Sequence, residues 1–313
     1  LAGYAQYSHP LPFGQANIGL RYEHVDFDYF ENGTFVPGQS RVYDNIFPNI
    51  SVNGQLGKVQ FQVSYAAKTQ RPNYSQLRNN ITYANRFTWQ TGNPLLKPSV
   101  THDITAVGVW RFFQAMVSYK VVRDYILYWG TQVENQSATT LINYINHDRL
   151  PSLTVMLAAS PTIGIWNLNA SAIVMKQWFS LDAAGQRRTY NNPLFVGSLN
   201  NTFTLPAGFL LSADFNYQSR GQVQNITLKR PQYTLNIGLR KSLFNDALSI
   251  EARANDLLLG CKQEALLYME SAQMKDLSWS DTRSFSLTVR YKFNAAKSKY
   301  KGTGAGQDTI NRM

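Results

Sequence analysis

The sequence predicts an all-β protein, a transmembrane antiparallel up-and-down β-barrel, and three observations predict it. Apolar and polar residues alternate with period two over about 13 segments, many longer than the roughly five or six residues of an average soluble strand. Connections between those segments alternate strictly between short and long, as they do when tight turns lie on one side of a membrane and long loops on the other. The two faces also differ in kind. One carries Val, Leu, Phe, Tyr and Ala, which suits lipid, and the other Gln, Asn, Ser, Arg and Lys, which suits a watery lumen.

The elements follow in order. Residues 1–8 read as a strand running down into a first tight turn. In "ANIGLRY" Ile18, Leu20 and Tyr22 share a face opposite Gly19 and Arg21. In "KVQFQVSYAAK" Val59, Phe61, Val63, Tyr65 and Ala67 alternate with Gln60, Gln62 and Ser64. Leu168, Ala170, Ala172 and Val174 oppose Asn167, Asn169 and Ser171, and Phe209, Leu211, Ala213, Phe215 and Tyr217 oppose Ser212, Asp214 and Asn216. "YTLNIGLRK" and "LSIEARAND" repeat the pattern, and "SFSLTVRYKF" closes it at Phe293. Short connections fall at 9–14, 53–57, 110–114, 160–164, 205–208 and 243–247, and long ones at 30–45, 70–98, 130–141, 181–192, 220–230 and 258–280. Tyr22, Trp110, Tyr128, Trp129, Trp166, Trp178 and Tyr217, near strand ends, suit the aromatic girdles of a membrane barrel. A soluble β-sandwich has no reason to sort its loops by length, and blade-length repeats of a propeller are absent.

Composition narrows the function. Of 313 residues 44% are hydrophobic, 13% aromatic and only 16% charged, so there is ample apolar surface to bury or to give to lipid. No apolar run reaches the length of a helical membrane span. The start "LAGYAQYSHP" lacks the basic and apolar regions of a signal peptide, which fits a cytoplasmic chain or one whose signal was removed or lies upstream. A single cysteine, Cys261, excludes an internal disulfide framework. The net charge of +11 is spread along the chain, apart from Lys297, Lys299 and Lys301, and fits an anion-attracting channel or solubility better than a nucleic-acid-reading face. An odd strand count conflicts with the even numbers of single-chain bacterial barrels. Residues 1–293 are therefore expected to be the C-terminal portion of a larger barrel, followed by a polar tail at 294–313.

The stretch "FTWQTGNPLLKPSVTHDITAV" joins a rigid corner to a regular strand. Pro94 and Pro98 fix φ and donate no ladder hydrogen bond, so they end a loop and set the next strand's start, and Gly92 is expected to supply a positive φ for the turn. Together with "SYAAKTQRPNYSQL" (64–77), the segment "GNPLLKPSVTHD" (92–103) resembles the C-terminal barrel of Bacteroidetes TonB-dependent outer-membrane receptors, in the outer membrane protein β-barrel group related to the SusC-type importers. The matching positions are Arg71, Pro72 and Tyr74, then Gly92, Asn93, Pro94, Leu96, Lys97 and Pro98. The resemblance spans essentially the whole chain. It implies a barrel of about 22 strands, embedded in outer-membrane lipid of a Gram-negative cell. It also implies an N-terminal plug domain absent from this chain and TonB engaged through that plug, and it admits a surface lipoprotein as a further partner. The implied function is import of a scarce nutrient (siderophore, glycan or peptide), with plug contacts on the lumen-facing set Arg21, Gln60, Gln62, Asn167, Asn169, Asp214, Arg240 and Arg290. The alternative is a barrel used as an adhesin or binding scaffold without transport.

No catalytic constellation is present: there is no G-x-S-x-G, H-E-x-x-H or Walker motif, and no enzyme activity, cofactor or metal is expected. His24, Asp26 and Asp28 share a strand face about 7 Å apart, too far to hold one ion unaided. His147-Asp148 lacks a matching acidic pair for proteolysis. Binding by outer loops is the remaining chemistry. Arg78, Tyr83, Arg86 and Trp89 in one long loop and Tyr268 and Trp279 in another offer guanidinium forks and aromatic faces for carboxylates, phosphates or sugar rings. The same side chains would serve equally to pack loops on one another.

Overall fold

The computed structural model describes residues 1–133, 136–270 and 273–293, so the expected tail at 294–313 lies outside the described residues. One antiparallel wall is formed by β1 (Ala2–Leu11), β2 (Gly14–Phe27), β3 (Arg41–Leu56), β4 (Val59–Gln70), β5 (Ser99–Trp110), β6 (Phe113–Val133) and β7 (Gln136–Ala159). It continues through β8 (Trp166–Gln177), β9 (Leu194–Leu205), β10 (Phe209–Gln218), β11 (Gln232–Leu243), β12 (Leu248–Asn255) and β13 (Ser284–Tyr291), each strand bonded to the next in chain order. Among the described residues β1 and β13 each have a single strand partner, so both edges of the wall are open.

Register converts the period-two pattern into continuous rows. One row runs Val52, Val63, Ala106, Val117, Val155 and Val174 from β3 to β8. Its neighbour, one residue along each strand, runs Ser51, Ser64, Thr105, Ser118 and Thr154. The apolar face is open, with Leu20 50% and Leu287 71% exposed, an arrangement stable only against lipid. On the polar face side chains bond across strands: the Ser8 hydroxyl donates to Asn17 Oδ1 (2.7 Å), and the Asn17 amide donates to Ser51 Oγ (3.3 Å). Arg21, Gln60, Gln62, Asn167, Asn169, Asp214, Arg240 and Arg290 all fall on this polar face.

All six expected tight connections join consecutive wall strands, but one expected long loop is absent. Residues 130–133 and 136–141 stay in β6 and β7, where Gly130 faces Ile142 and Thr131 faces Leu141. The two strands are 21 and 24 residues long, against the roughly 9–11 needed to cross a bilayer. They therefore rise far past the wall as a hairpin. Thr131, Gln132 and Thr140, which read as loop, are paired on strands that have left the membrane. Trp129, expected in an aromatic girdle, is only 6% exposed and packs in a core on this hairpin.

The Gly-Asn-Pro corner is docked on the same hairpin. The Asn93 side-chain amide donates to the Tyr144 carbonyl (2.9 Å), and its Oδ1 accepts from the Leu95 N–H (2.9 Å). Asn146 clasps the other side: its Oδ1 accepts from Lys97 N–H (2.8 Å), and its Nδ2 donates to the carbonyls of Lys97 (3.1 Å) and Asp124 (2.8 Å). Leu96 is buried between these anchors, and Pro98 immediately precedes β5. Gly92 does not have a positive φ; glycine is required there because a Cβ would lie 2.5 Å from the Gln76 carbonyl oxygen and 2.6 Å from that of Arg78. Upstream, Asn73 caps the short helix α1 (Tyr74–Leu77) in a reciprocal capping box with Gln76.

Asn146→Ala removes three hydrogen bonds and is expected to loosen the 71–98 segment by about 1–3 kcal/mol, measured as faster protease nicking there with the heat-stable barrel band intact. Gly92→Ala gives the larger nicking effect, because its new methyl meets backbone rather than a movable side chain. Equal resistance of both variants and the parent would contradict this role for the corner.

Candidate functional site

The outer connections converge on the β6–β7 hairpin and form two cores there. The first joins Leu127, which is fully buried, with Trp129 and Leu150 of the hairpin and with Phe179, Leu181, Ala183 and Tyr190 of a small hairpin between β8 and β9. The second joins Ile142 to Leu267 of a four-stranded outer sheet built from 221–223, 226–228, 262–268 and 273–279, and to Met269, which follows the third of those strands. Gly130 allows this approach, since a Cβ there would meet the Met269 sulfur. Asn225, 1% exposed, donates to the Tyr128 carbonyl (3.2 Å) and so avoids an unpaired buried amide.

The six residues singled out as ligand contacts fall into two groups that sit on different loop units. Arg78, Tyr83, Arg86 and Trp89 belong to one unit. Tyr83 and Trp89 meet edge to face at 5.3 Å, Arg78 donates to Thr82 Oγ1 (2.9 Å), and the exposed Arg86 guanidinium lies 5.6 Å from the Phe87 ring. Residues 88–90 pair in parallel with 140–142 of β7, which fixes Trp89 against the hairpin. Tyr268 and Trp279 belong to the outer sheet. Tyr268 lies under the Arg188 guanidinium at 3.6 Å, whereas Trp279, 64% exposed, faces Lys262 across its strand pair at 5.6 Å. Lys275, 2.9 Å from Glu264, holds that carboxyl below its usual range.

Two concavities lie beside the Arg-Pro segment. A rim pocket of about 370 Å³ is lined by Phe27, Arg41, Tyr43, Arg71, Tyr74 and Pro94 among others. A second, of about 460 Å³, is lined by Arg21, Glu23, Phe47, Lys68 and Arg71. Arg71 is a wall of both. Glu23 bridges Arg21 (2.7 Å) and Arg71 (3.2 Å), and the Arg41 guanidinium donates to the Leu96 carbonyl (3.1 Å). Four cations and one carboxylate thus run from the rim down the polar face. Of these residues Arg21 was expected on the lumen and Arg71 in the motif. Period two also puts Lys68 on the polar face with Gln60 and Gln62, but its meeting with Arg41 and Glu23 gave no sequence signal, because the three converge from three strands.

The other candidate residues have structural partners. His24 Nδ1 lies 2.9 Å from Asp44, directly opposite it on β3, and His147 packs edge-on to Phe179 at 4.6 Å. Among the described residues no group of three or more His, Cys, Asp or Glu is placed to hold a metal ion.

Leu127→Ala is expected to cost about 2–5 kcal/mol within the loop core and to lower the temperature at which the outer loops become protease-sensitive, while the barrel itself melts as before. A single shared transition, equally shifted for loops and barrel, would contradict a separate loop core.

The model of the outer membrane protein beta-barrel family matches residues 1–291. No curated protein matches the chain by sequence. Three solved structures share its fold at low identity. The siderophore receptor PirA of Pseudomonas aeruginosa superposes with a TM-score of 0.55 at 13% identity, covering 82% of this chain and 45% of that one. The FrpB iron transporter of Neisseria meningitidis (F3-3 variant) gives 0.57 at 15% identity, with 93% and 44% covered. The hemophore receptor HasR of Serratia marcescens, in complex with its hemophore HasA and heme, gives 0.57 at 14% identity, with 93% and 51% covered. The chain thus spans about half the length of each. Its open-edged wall, two chemically opposite faces and matched family model lead to one conclusion: this chain belongs to the outer membrane protein β-barrel family and resides in the outer membrane.

Proposed function

We propose that the chain is the barrel portion of a TonB-dependent outer-membrane receptor that imports a scarce anionic nutrient through a plugged pore. The observation that carries this reading is the shared wall at Arg71, which joins a rim pocket to a lumenal one along a row of cations. A ligand bearing carboxylates, phosphates or catecholates would be gripped at the rim by guanidinium forks and passed to Arg21 and Lys68. Arg78, whose buried Nε lacks an acceptor, and Arg86 with Tyr83 and Trp89 extend the recognition surface outward. Tyr268 and Trp279 would contribute from the outer sheet.

The open edges at β1 and β13 support a longer wall, since unpaired backbone cannot face lipid. Further strands pairing with these edges would close it, around a plug domain. The plug would rest on the polar face and couple to TonB, which supplies energy from the inner-membrane proton gradient. A surface lipoprotein is a further partner consistent with the exposed outer loops.

Uptake tests this directly. Cells with and without the native receptor are offered a ferric catecholate siderophore, ferric citrate, heme, an oligosaccharide and a peptide, each labelled. One of the first three is expected to enter saturably, to stop when a protonophore collapses the gradient, and to fall at least about tenfold with Arg71→Gln, a loss of about 1.4 kcal/mol in binding. Uptake of every probe that is unchanged by deletion, or insensitive to the protonophore, would contradict transport and favour an adhesive or scaffolding barrel.

A further inference from the structure

The apolar face of the wall is not uniform. Between β5 and β9, next to the tight turns, it holds a trough of about 740 Å³. Its floor consists of Gly108 beside Ala115, Ala159 beside Ala170, and Ala172 beside Gly197, with the exposed Leu157 projecting between Ala115 and Ala172. A Cβ at Gly108 would meet nothing within 4 Å, so the space above the floor is open. Trp110 and Phe113, stacked at 5.9 Å, wall one end, and Phe195 and Tyr217 wall the other. Above it the row Val117, Val155 and Val174 restores a ridge of branched side chains. Four strand spacings give a length of about 19 Å, and the usual strand tilt of about 45° makes it climb about 13 Å, close to one leaflet of a hydrocarbon core about 30 Å thick.

Charge marks the lower end. Of the six tight turns, the one at 244–247 carries the acid Asp246 but lies beyond the trough, between β11 and β12. The other five, at 12–13, 57–58, 111–112, 160–165 and 206–208, contain two charged residues, Lys58 and Arg111, and both are cations. Both are exposed, and both flank trough residues: Lys58 precedes Val59, and Arg111 follows Trp110, with its guanidinium 5.1 Å from the indole ring. Tight turns of outer-membrane barrels lie at the periplasmic surface, beside the headgroups of the inner leaflet.

We propose that this trough is a binding site for an anionic phospholipid, with an acyl chain along the small-residue floor and the phosphate held by Lys58 and Arg111. Basic residues beside an apolar intramembrane groove are the arrangement that selects acidic headgroups. The site is on the opposite face from the nutrient pathway and stands independently of it.

The test uses the native receptor in detergent, stripped of lipid and then exposed to phosphatidylglycerol or phosphatidylethanolamine, with native mass spectrometry as readout. One phosphatidylglycerol is expected to remain bound under activation that strips phosphatidylethanolamine. Gly108→Leu, which fills the trough without striking backbone, is expected to abolish retention of both. Lys58→Glu with Arg111→Glu is expected to remove the preference for phosphatidylglycerol by at least about tenfold. Retention unchanged in Gly108→Leu, no preference between the two lipids in the parent, or a dimer lost on filling the trough would each overturn the proposal. Heat-modifiability of every variant confirms that the barrel has folded.

Discussion

Backbone pairing between neighbouring strands is the constraint from which the rest follows. Once Val117 stands opposite Val155, Ser118 must stand opposite Thr154, and the same parity propagates along the wall. A slip of one residue would turn Asp214, Arg240 and Arg253 toward lipid, where a cation costs about 2–4 kcal/mol at mid-membrane depth. It would equally turn the valine row toward water. The polar face strengthens its own register: Ser118 and Thr105 hydroxyls both donate to Asp103 Oδ1, at 2.9 and 2.8 Å. Arg253 on β12 lies 3.6 Å from Asp214 on β10, reaching across the intervening β11.

Above the membrane a different physics takes over. With water available to both faces, the outer segments of β6 and β7 no longer need alternation, and they become a post on which other connections build cores. Polar side chains that would be lumenal lower down serve here as clasps, as Asn146 does for the Lys97 peptide and Asn225 for the Tyr128 carbonyl. Order in the loops positions Arg41, Arg71 and Tyr74 around one pocket. Rigid outer loops also lower the entropy lost when a ligand is gripped.

This division explains what could be read from the chain. Within the membrane the environment is simple, and period two, turn spacing and face chemistry gave the wall, its strand count and the lumenal set. The corner at 92–98 was legible as structural because proline and glycine carry backbone meaning, although Gly92 proved to be required for close approach rather than for positive φ. The β6–β7 hairpin was misjudged as a loop at 130–141 because, outside lipid, a strand need not alternate. The pairing of Tyr83 with Trp89 was near in sequence and foreseeable. The meeting of Arg188 with Tyr268, or of Arg41 with Arg71, depends on long-range docking that no local pattern encodes.

The assignment of faces is the central claim, and adjacent positions test it. In a Cys261→Ser background, Val117→Cys and Ser118→Cys are spin-labelled one at a time in reconstituted receptor, and collisions with molecular oxygen and with a water-soluble nickel chelate are compared. The label at 117 is expected to meet oxygen and exclude nickel, and the label at 118, one residue away, to do the reverse. The same preference at both positions would contradict a wall with lipid on one face and water on the other.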